Sequence, residues 1–260
     1  MQENHIITTN NLAIGYTNKK TNNVIAKNLN LSLFKGSFVC LIGKNGVGKS
    51  TLLRTLSKTQ EALSGNILID NKDLNQYDNL ALSKQVSLVL TEKIPPSNLT
   101  VFEVVALARQ IYTDWIGRLS QNDIEIVNDA LSICNLNFIK DKKIDELSDG
   151  QFQKVMIARA IAQDTPIIIL DEPTAHLDII NRVEIFHLLK KLAKEKNKLI
   201  LCSSHEIELC LEYASHLWLM TLGNILCDSK ENILKSNDIA TVFNSDLIEF
   251  DAKNKQFKYK

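Results

Sequence analysis

Gly43-Lys44-Asn45-Gly46-Val47-Gly48-Lys49-Ser50 decides the fold. The octet fits G-x-x-x-x-G-K-[ST], a loop whose backbone amides cradle phosphates. Its flanks fit as well. Phe38–Ile42 is an apolar run of strand length, and Thr51–Leu56 spaces its leucines as a helix does. In that order the glycines let the backbone wrap an anion, and the helix N-terminus aims N–H groups at it. Lys49 then reaches the β- and γ-phosphates of a nucleotide, and Ser50 ligates Mg2+.

Upstream of the loop the chain reads as strands. Ile6-Ile7-Thr8, Leu12-Ala13-Ile14 and Val24-Ile25-Ala26 are short and β-prone, Thr21-Asn22-Asn23 is turn-like, and Leu29-x-Leu31-x-Leu33 alternates with period two. Tyr16 is an aromatic near the nucleotide loop, where stacking on a base and plain packing are both open. Downstream, Ser64-Gly65 reads as a turn, and Asn66–Asp70 and Val86–Leu90 as strands. Pro95-Pro96 breaks the pattern. From Thr100 to about Lys143 the apolar spacing is helical (Val101, Val104, Val105, Ala108, then Ile124, Val127, Leu131, Cys134), as in a helical insert.

Residues 147–205 return to alternation: helix Gln151–Ala162, strand Ile167–Leu170, helix Ile179–Lys194, strand Leu199–Cys202. Helices alternating with buried strands imply a parallel sheet. Leu217–Met220 and Ile225–Cys227 are further strands. Leu247–Phe250 and Gln256–Tyr259 suggest a hairpin around Asp251–Lys255. The expected fold is α/β: a phosphate-loop NTPase core with a mainly parallel sheet, an N-terminal antiparallel β subdomain and a helical insert. One domain fills residues 1–260. Residues 1–91 and 146–230 form the core with its β subdomain, 92–145 the helical subdomain, and 231–260 a C-terminal extension.

Composition narrows the function classes. Of 260 residues, 45% are hydrophobic and 23% charged, which suits a globular chain with a sizeable core. The 30 basic and 30 acidic residues cancel, which argues against nucleic-acid binding as the main task. No apolar run approaches the ~20 residues of a membrane-spanning helix. The polar start, Met1-Gln2-Glu3-Asn4-His5, lacks a signal-peptide core. A cytoplasmic protein is expected, with any membrane role passing through a partner. Five scattered cysteines with no C-x-x-C pair fit reduced thiols.

The second half supplies carboxylates and a histidine. Ile167–Leu170 runs into Asp171-Glu172, and ligands in α/β sheets bind at the carboxyl ends of strands. Asp171 is then the candidate to hold Mg2+. Glu172 is the candidate general base for an attacking water. Leu199–Cys202 runs into Ser203-Ser204-His205, which puts a histidine at the end of a second buried strand. Ser148-x-x-Gln151 fits a capping box, and the same helix N-terminus is an anion site.

Together these residues resemble the nucleotide-binding subunit of ATP-binding-cassette (ABC) transporters, over roughly residues 5–230. The most specific part is the order Leu147–Gln151, Asp171-Glu172, Ala175-His176-Leu177-Asp178, His205. The resemblance implies a set of roles. Tyr16 stacks on adenine, and Gly43, Asn45, Gly46, Gly48, Lys49, Ser50 and Thr51 hold the ATP phosphates. Ser148, Gly150 and Gln151 close on the γ-phosphate of ATP held by a second copy. Asp178 couples the two sites, and His205 is the switch histidine. The resemblance implies ATP and Mg2+ as cofactors, with Ser50 and Asp171 on the metal and Lys49, Glu172 and His205 in catalysis. As partners it implies a head-to-tail homodimer docked on a transmembrane permease dimer at the cytoplasmic side of the membrane. A substrate-binding protein completes such a system.

Two positions depart from the family pattern. Asp149 replaces the first glycine of Ser-Gly-Gly-Gln, and its side chain is expected to point away from phosphate. Thr91, followed by Glu92, stands where the family has a glutamine beside Mg2+. The Ala175–Asp178 segment and Leu99–Arg109 are similar to importers of ferric siderophores, haem and cobalamin. The competing class is a non-transport cassette ATPase for repair, translation or iron–sulfur assembly. A single cassette without a long heptad region argues against it.

Overall fold

The structure is a computed structural model that describes residues 5–18, 21–90 and 98–260. The chain opens with β1 (His5–Asn18), β2 (Thr21–Leu29) and β3 (Ser32–Phe34), then β4 (Phe38–Ile42) and helix α1 (Lys49–Leu56). Next come β5 (Ser64–Ile69), β6 (Lys72–Asp73), α2 (Asn79–Ser83) and β7 (Val86–Val89). β1, β2, β3, β5 and β6 form an antiparallel sheet.

That sheet revises four expectations. Ile6–Thr8 and Leu12–Ile14 belong to one bulged strand rather than two. Thr21–Asn23 continue β2, with Asn23 opposite Tyr16, because ladder pairing overrides turn propensity. Leu29, Leu31 and Leu33 are all buried, but they do not share a strand. Asn28 is left-handed at φ 58°, and the chain crosses from one half of β1 to the other. The Thr9 hydroxyl replaces the missing ladder bonds, donating to the Leu29 carbonyl and accepting from Leu31 N–H, both at 2.9 Å. Ser64-Gly65 opens β5 instead of turning. Gly65 sits at φ 80° where a Cβ would fall 2.4 Å from the Asn11 carbonyl oxygen, opposite the β1 bulge. The turn comes after β5, at Asp70 and Asn71, both with positive φ as a tight two-residue hairpin needs.

The helical segment follows as α3 (Val101–Ala106) and α4 (Gln121–Ile133), with a 3-10 stretch at Leu107–Tyr112 between them. Then come α5 (Asp149–Ala162), β8 (Ile167–Asp171), α6 (Ile179–Lys196), β9 (Leu199–Ser203), α7 (Ile207–Tyr213), β10 (His216–Thr221) and β11 (Asn224–Ser229). The chain ends with α8 (Lys230–Lys235), α9 (Asp238–Phe243) and the hairpin β12 (Ile248–Asp251) and β13 (Gln256–Tyr259).

The central sheet runs β11-β10-β4-β9-β8-β7, with β10, β4, β9, β8 and β7 parallel and β11 antiparallel at one edge. Alternation along each strand feeds two cores. Phe38, Cys40 and Ile42 face the core shared with α3 to α7, while Val39 and Leu41 face the core shared with α1 and the antiparallel sheet. β8 and β9 divide the same way, Ile168 and Ile200 to one side, Ile169 and Leu201 to the other. Burial on both faces explains why these strands read as unbroken apolar runs. Among the described residues, no helix is long and apolar enough to cross a membrane.

One buried ion pair fixes the helical segment to the core. Arg109 Nε donates to Asp123 Oδ1 at 2.9 Å, and its Nη1 to the Ala162 carbonyl at 2.9 Å. Asp123 is also the reciprocal cap of α4 through Ser120. The Ser120 hydroxyl and the guanidinium together hold the Asp123 carboxyl below the usual carboxylate range. Asp123→Asn is expected to lower stability by about 2 kcal/mol at neutral pH. A depressed folded-state pKa stabilises above the unfolded value and is lost as pH falls through the folded one. The gap in melting temperature between wild type and variant should therefore be widest above pH ~5 and narrow as pH falls through the depressed folded-state value. A gap that is unchanged at low pH rules this account out.

Candidate active site

Every parallel strand of the central sheet ends at the same edge, and three neighbouring strands deliver the predicted residues there. The Gly43–Gly48 loop leaves β4, Ser203–His205 end β9, and Asp171-Glu172 end β8.

The phosphate loop is shaped to receive an anion. Gly48 caps α1 in the left-handed region at φ 108°, and a Cβ there would lie 2.3 Å from Ile25 Cγ2. Only glycine fits both the dihedral and the space. No side chain caps α1, whereas α3, α4 and α5 all carry reciprocal caps. Among the described residues, no side-chain cap competes for the first N–H groups of α1, which suits them to an anion. Asn45 and Gly46 are exposed at the crest, and Gly43 is buried at the base. Lys49 is 5% exposed, and its Nζ lies 2.9 Å from the Gly43 carbonyl and 3.3 Å from that of Lys44. Burial pushes this ammonium down, against the pull of Glu172 and Asp171. Thr51 is buried and its hydroxyl lies 2.9 Å from the Tyr16 hydroxyl. That bond holds a 47% exposed ring beside the loop, as base stacking needs.

At the carboxylates one residue not singled out from sequence organises both. Ser203, fully buried, donates its hydroxyl to Asp171 Oδ1 at 2.7 Å and accepts from Glu172 N–H at 2.9 Å. Glu172 is left-handed at φ 47°, an uncommon conformation for a non-glycine residue. The bond its N–H donates to Ser203 Oγ holds it there, and strain of this kind gathers at functional sites. Glu172 Oε1 lies 2.6 Å from His205 Nε2. Ser203→Ala is expected to lower ATP turnover or apparent Mg2+ affinity about 10-fold, measured by steady-state phosphate release against Mg2+. Wild-type values would dismiss the brace.

The donor set fits Mg2+. Ser50, in the first turn of α1, and Asp171 offer hard oxygen donors, and Mg2+ in nucleotide sites takes one or two protein oxygens with the rest from phosphate and water. Among the described residues, no cluster of three His, Cys, Asp or Glu side chains competes for a cation. Thr91 and Glu92, the departure beside the metal, lie outside the described residues.

Ser148, Gly150 and Gln151 are brought together with one another but not with the loop. Ser148 caps α5, its Oγ accepting from Gln151 N–H at 3.3 Å while Gln151 Oε1 accepts from Ser148 N–H at 3.1 Å. Asp149 is exposed in the first turn, where a carboxylate suits the helix dipole. α5 packs beside β7, and β7 is three strands from β4. At about 4.8 Å per strand, the helix that Ser148 caps packs roughly 14 Å across the sheet from the strand that carries the loop. Asp178 caps α6 by accepting from Asn181 N–H at 2.9 Å. Hydrogen bonds from the Asn181 backbone and side chain hold its carboxyl low.

Known proteins resemble this chain in sequence and fold. The family model described as ABC transporter matches residues 26–175. The iron(3+)-hydroxamate import ATP-binding protein of Bacillus subtilis (strain 168) is 33% identical, over 85% of this chain and 80% of its own length. A solved transporter assigned to the metal-chelate type, in an inward-facing conformation, superposes with TM-score 0.80 at 28% identity, covering 92% of this chain and 89% of its own. A dimeric ATP-binding cassette bound to ADP and phosphate superposes with TM-score 0.75 at 28% identity, over 86% of this chain and 99% of its own.

Proposed function

Because this chain belongs to the ABC transporter ATP-binding family, we propose that it is the ATP-hydrolysing subunit of an importer and drives uptake of a metal chelate through a separate permease. The observation that carries the cargo class is the likeness to an iron(3+)-hydroxamate import subunit along most of both chains. Ferric siderophores, haem and cobalamin are the cargoes to test.

In this mechanism Tyr16 stacks on adenine, and the Gly43–Gly48 amides with Lys49 hold the phosphates. Mg2+, held by Ser50 and Asp171, would neutralise charge that develops on the phosphoryl oxygens. Glu172 accepts a proton from water as its oxygen attacks the γ-phosphorus and the bond to the ADP oxygen breaks. His205, already paired with Glu172, orients that water and the γ-phosphate. Two copies pack head to tail, so that Ser148, Gly150 and Gln151 of one close on the phosphate held by the other. The roughly 14 Å offset within a chain supports this, as does the dimeric arrangement of the ADP- and phosphate-bound relative. Asp178 lies between the paired sites, and the dimer works peripherally on the cytoplasmic face of the membrane beside its permease and a substrate-binding protein.

A deletion strain tests the transport reading. Uptake of a labelled ferric hydroxamate, haem or cobalamin should disappear and return with the wild-type gene but not with Glu172→Gln. Unchanged uptake of all three refutes the cargo class.

A further inference from the structure

The first turn of α6 carries two side chains that none of the motifs above assigns, Asn181 and Arg182. Arg182 Nε donates to the Leu177 carbonyl at 2.6 Å, and Nη1 donates to Glu206 Oε1 at 2.6 Å. Leu177 immediately precedes Asp178, and Glu206 immediately follows His205. One guanidinium therefore joins two loops that leave different strands, β8 and β9. Its planar fork fixes direction as well as distance, which a point-charge ammonium does not.

Glu206 shows the same commitment from the other side. It is the N-cap of α7, where an acceptor side chain would ordinarily bond its own helix. Its carboxylate makes no cap bond and accepts from Arg182 instead. Its N–H is held by Ser204 Oγ at 3.0 Å. Asn181 adds a third connection. Its Nδ2 donates to Asp178 Oδ2 at 2.7 Å, and its side chain lies against Gly150, where an added Cβ would come within 3.0 Å of it.

We propose that Arg182 is a positioning residue for hydrolysis, locking the Leu177-Asp178 loop to Glu206 so that His205 is presented to Glu172. This role rests on Glu172 and His205 being the hydrolytic pair. Arg182 touches neither ATP nor water in this scheme. Its effect passes through the backbone of its two partners.

The test is a double-mutant cycle in the purified full-length protein, with kcat, KM for ATP and melting temperature measured for each variant. Arg182→Ala and Glu206→Ala should each lower kcat about 10-fold. KM should stay within about 2-fold, and the double variant should fall no further. Arg182→Lys should recover only part of kcat, since the fork is lost. Glu206→Gln keeps an acceptor and the side-chain size, and serves if an alanine variant does not fold. It should retain more kcat than Glu206→Ala. Wild-type kcat in the single variants overturns the proposal, as does a double variant equal to the product of the two. So does a kcat loss that merely follows the melting temperature. Glu172→Gln is the control: if it hydrolyses ATP normally, the functional reading itself fails. If it is inactive while Arg182→Ala is normal, only the positioning role fails.

Discussion

Glu172→Gln is expected to slow ATP turnover by about 100- to 10,000-fold while leaving ATP binding intact. The substitution keeps size and shape and removes the proton acceptor. The backbone of Glu172 is held in its left-handed conformation by the bond from its N–H to Ser203, which the substitution does not touch. The amide oxygen remains an acceptor for His205 Nε2, so the side chain should stay in place. A chain that binds ATP without hydrolysing it should accumulate as an ATP-holding dimer. Size-exclusion chromatography with ATP and Mg2+ would show the shift to twice the mass, and phosphate release would be near background. A variant that turns over ATP at the wild-type rate removes Glu172 from the general-base role.

Lys49→Ala should cost about 100- to 1,000-fold in kcat/KM, and here the loss should appear in binding as well. Lys49 is a buried cation whose ammonium is depressed by desolvation and supported by Asp171 and Glu172. A nucleotide brings several negative charges into this site. Without Lys49 they face two carboxylates with one less cation between them. The clearest readout is thermal. At ATP concentrations near 100 times Kd, wild type should gain about 2.7 kcal/mol of stability, and Lys49→Ala should gain little or none. An equal thermal shift in both proteins would show that Lys49 does not contact the phosphates.

The parts legible from sequence are those in which each residue repeats the same message. β4, β8 and β9 are uninterrupted apolar runs because both their faces are buried, and the glycine loop and the Asp171-Glu172 pair sit where such strands must end. Local signals of this kind also place α5, since Ser148 and Gln151 cap it at a fixed spacing. Contacts between residues far apart in sequence were not legible. Ser203 reads as one more polar residue after an apolar run, and its bonds reach Asp171 and Glu172 some 31 to 32 positions earlier. Arg182 likewise looks like an ordinary helical arginine until Glu206, 24 residues on, is brought beside it. The N-terminal strands misled for a related reason. A two-residue alternation through Leu29, Leu31 and Leu33 marks burial correctly, yet it cannot reveal that the chain moves from one half of β1 to the other between them.

The reciprocal cap of α5 has a consequence for how this gene tolerates mutation. The Ser148 oxygen uses a lone pair to cap its helix, which leaves the hydroxyl proton for an acceptor outside the chain. In the proposed dimer, folding and chemistry draw on different parts of one small group. Aspartate at 148 would cap the helix as well as serine does, but it brings a negative charge and no proton to offer. A screen for folded protein would pass that allele and a selection for growth on the transported nutrient would reject it, whereas threonine should survive both. Codon 148 is therefore a place where the two evolutionary pressures can be told apart by counting survivors.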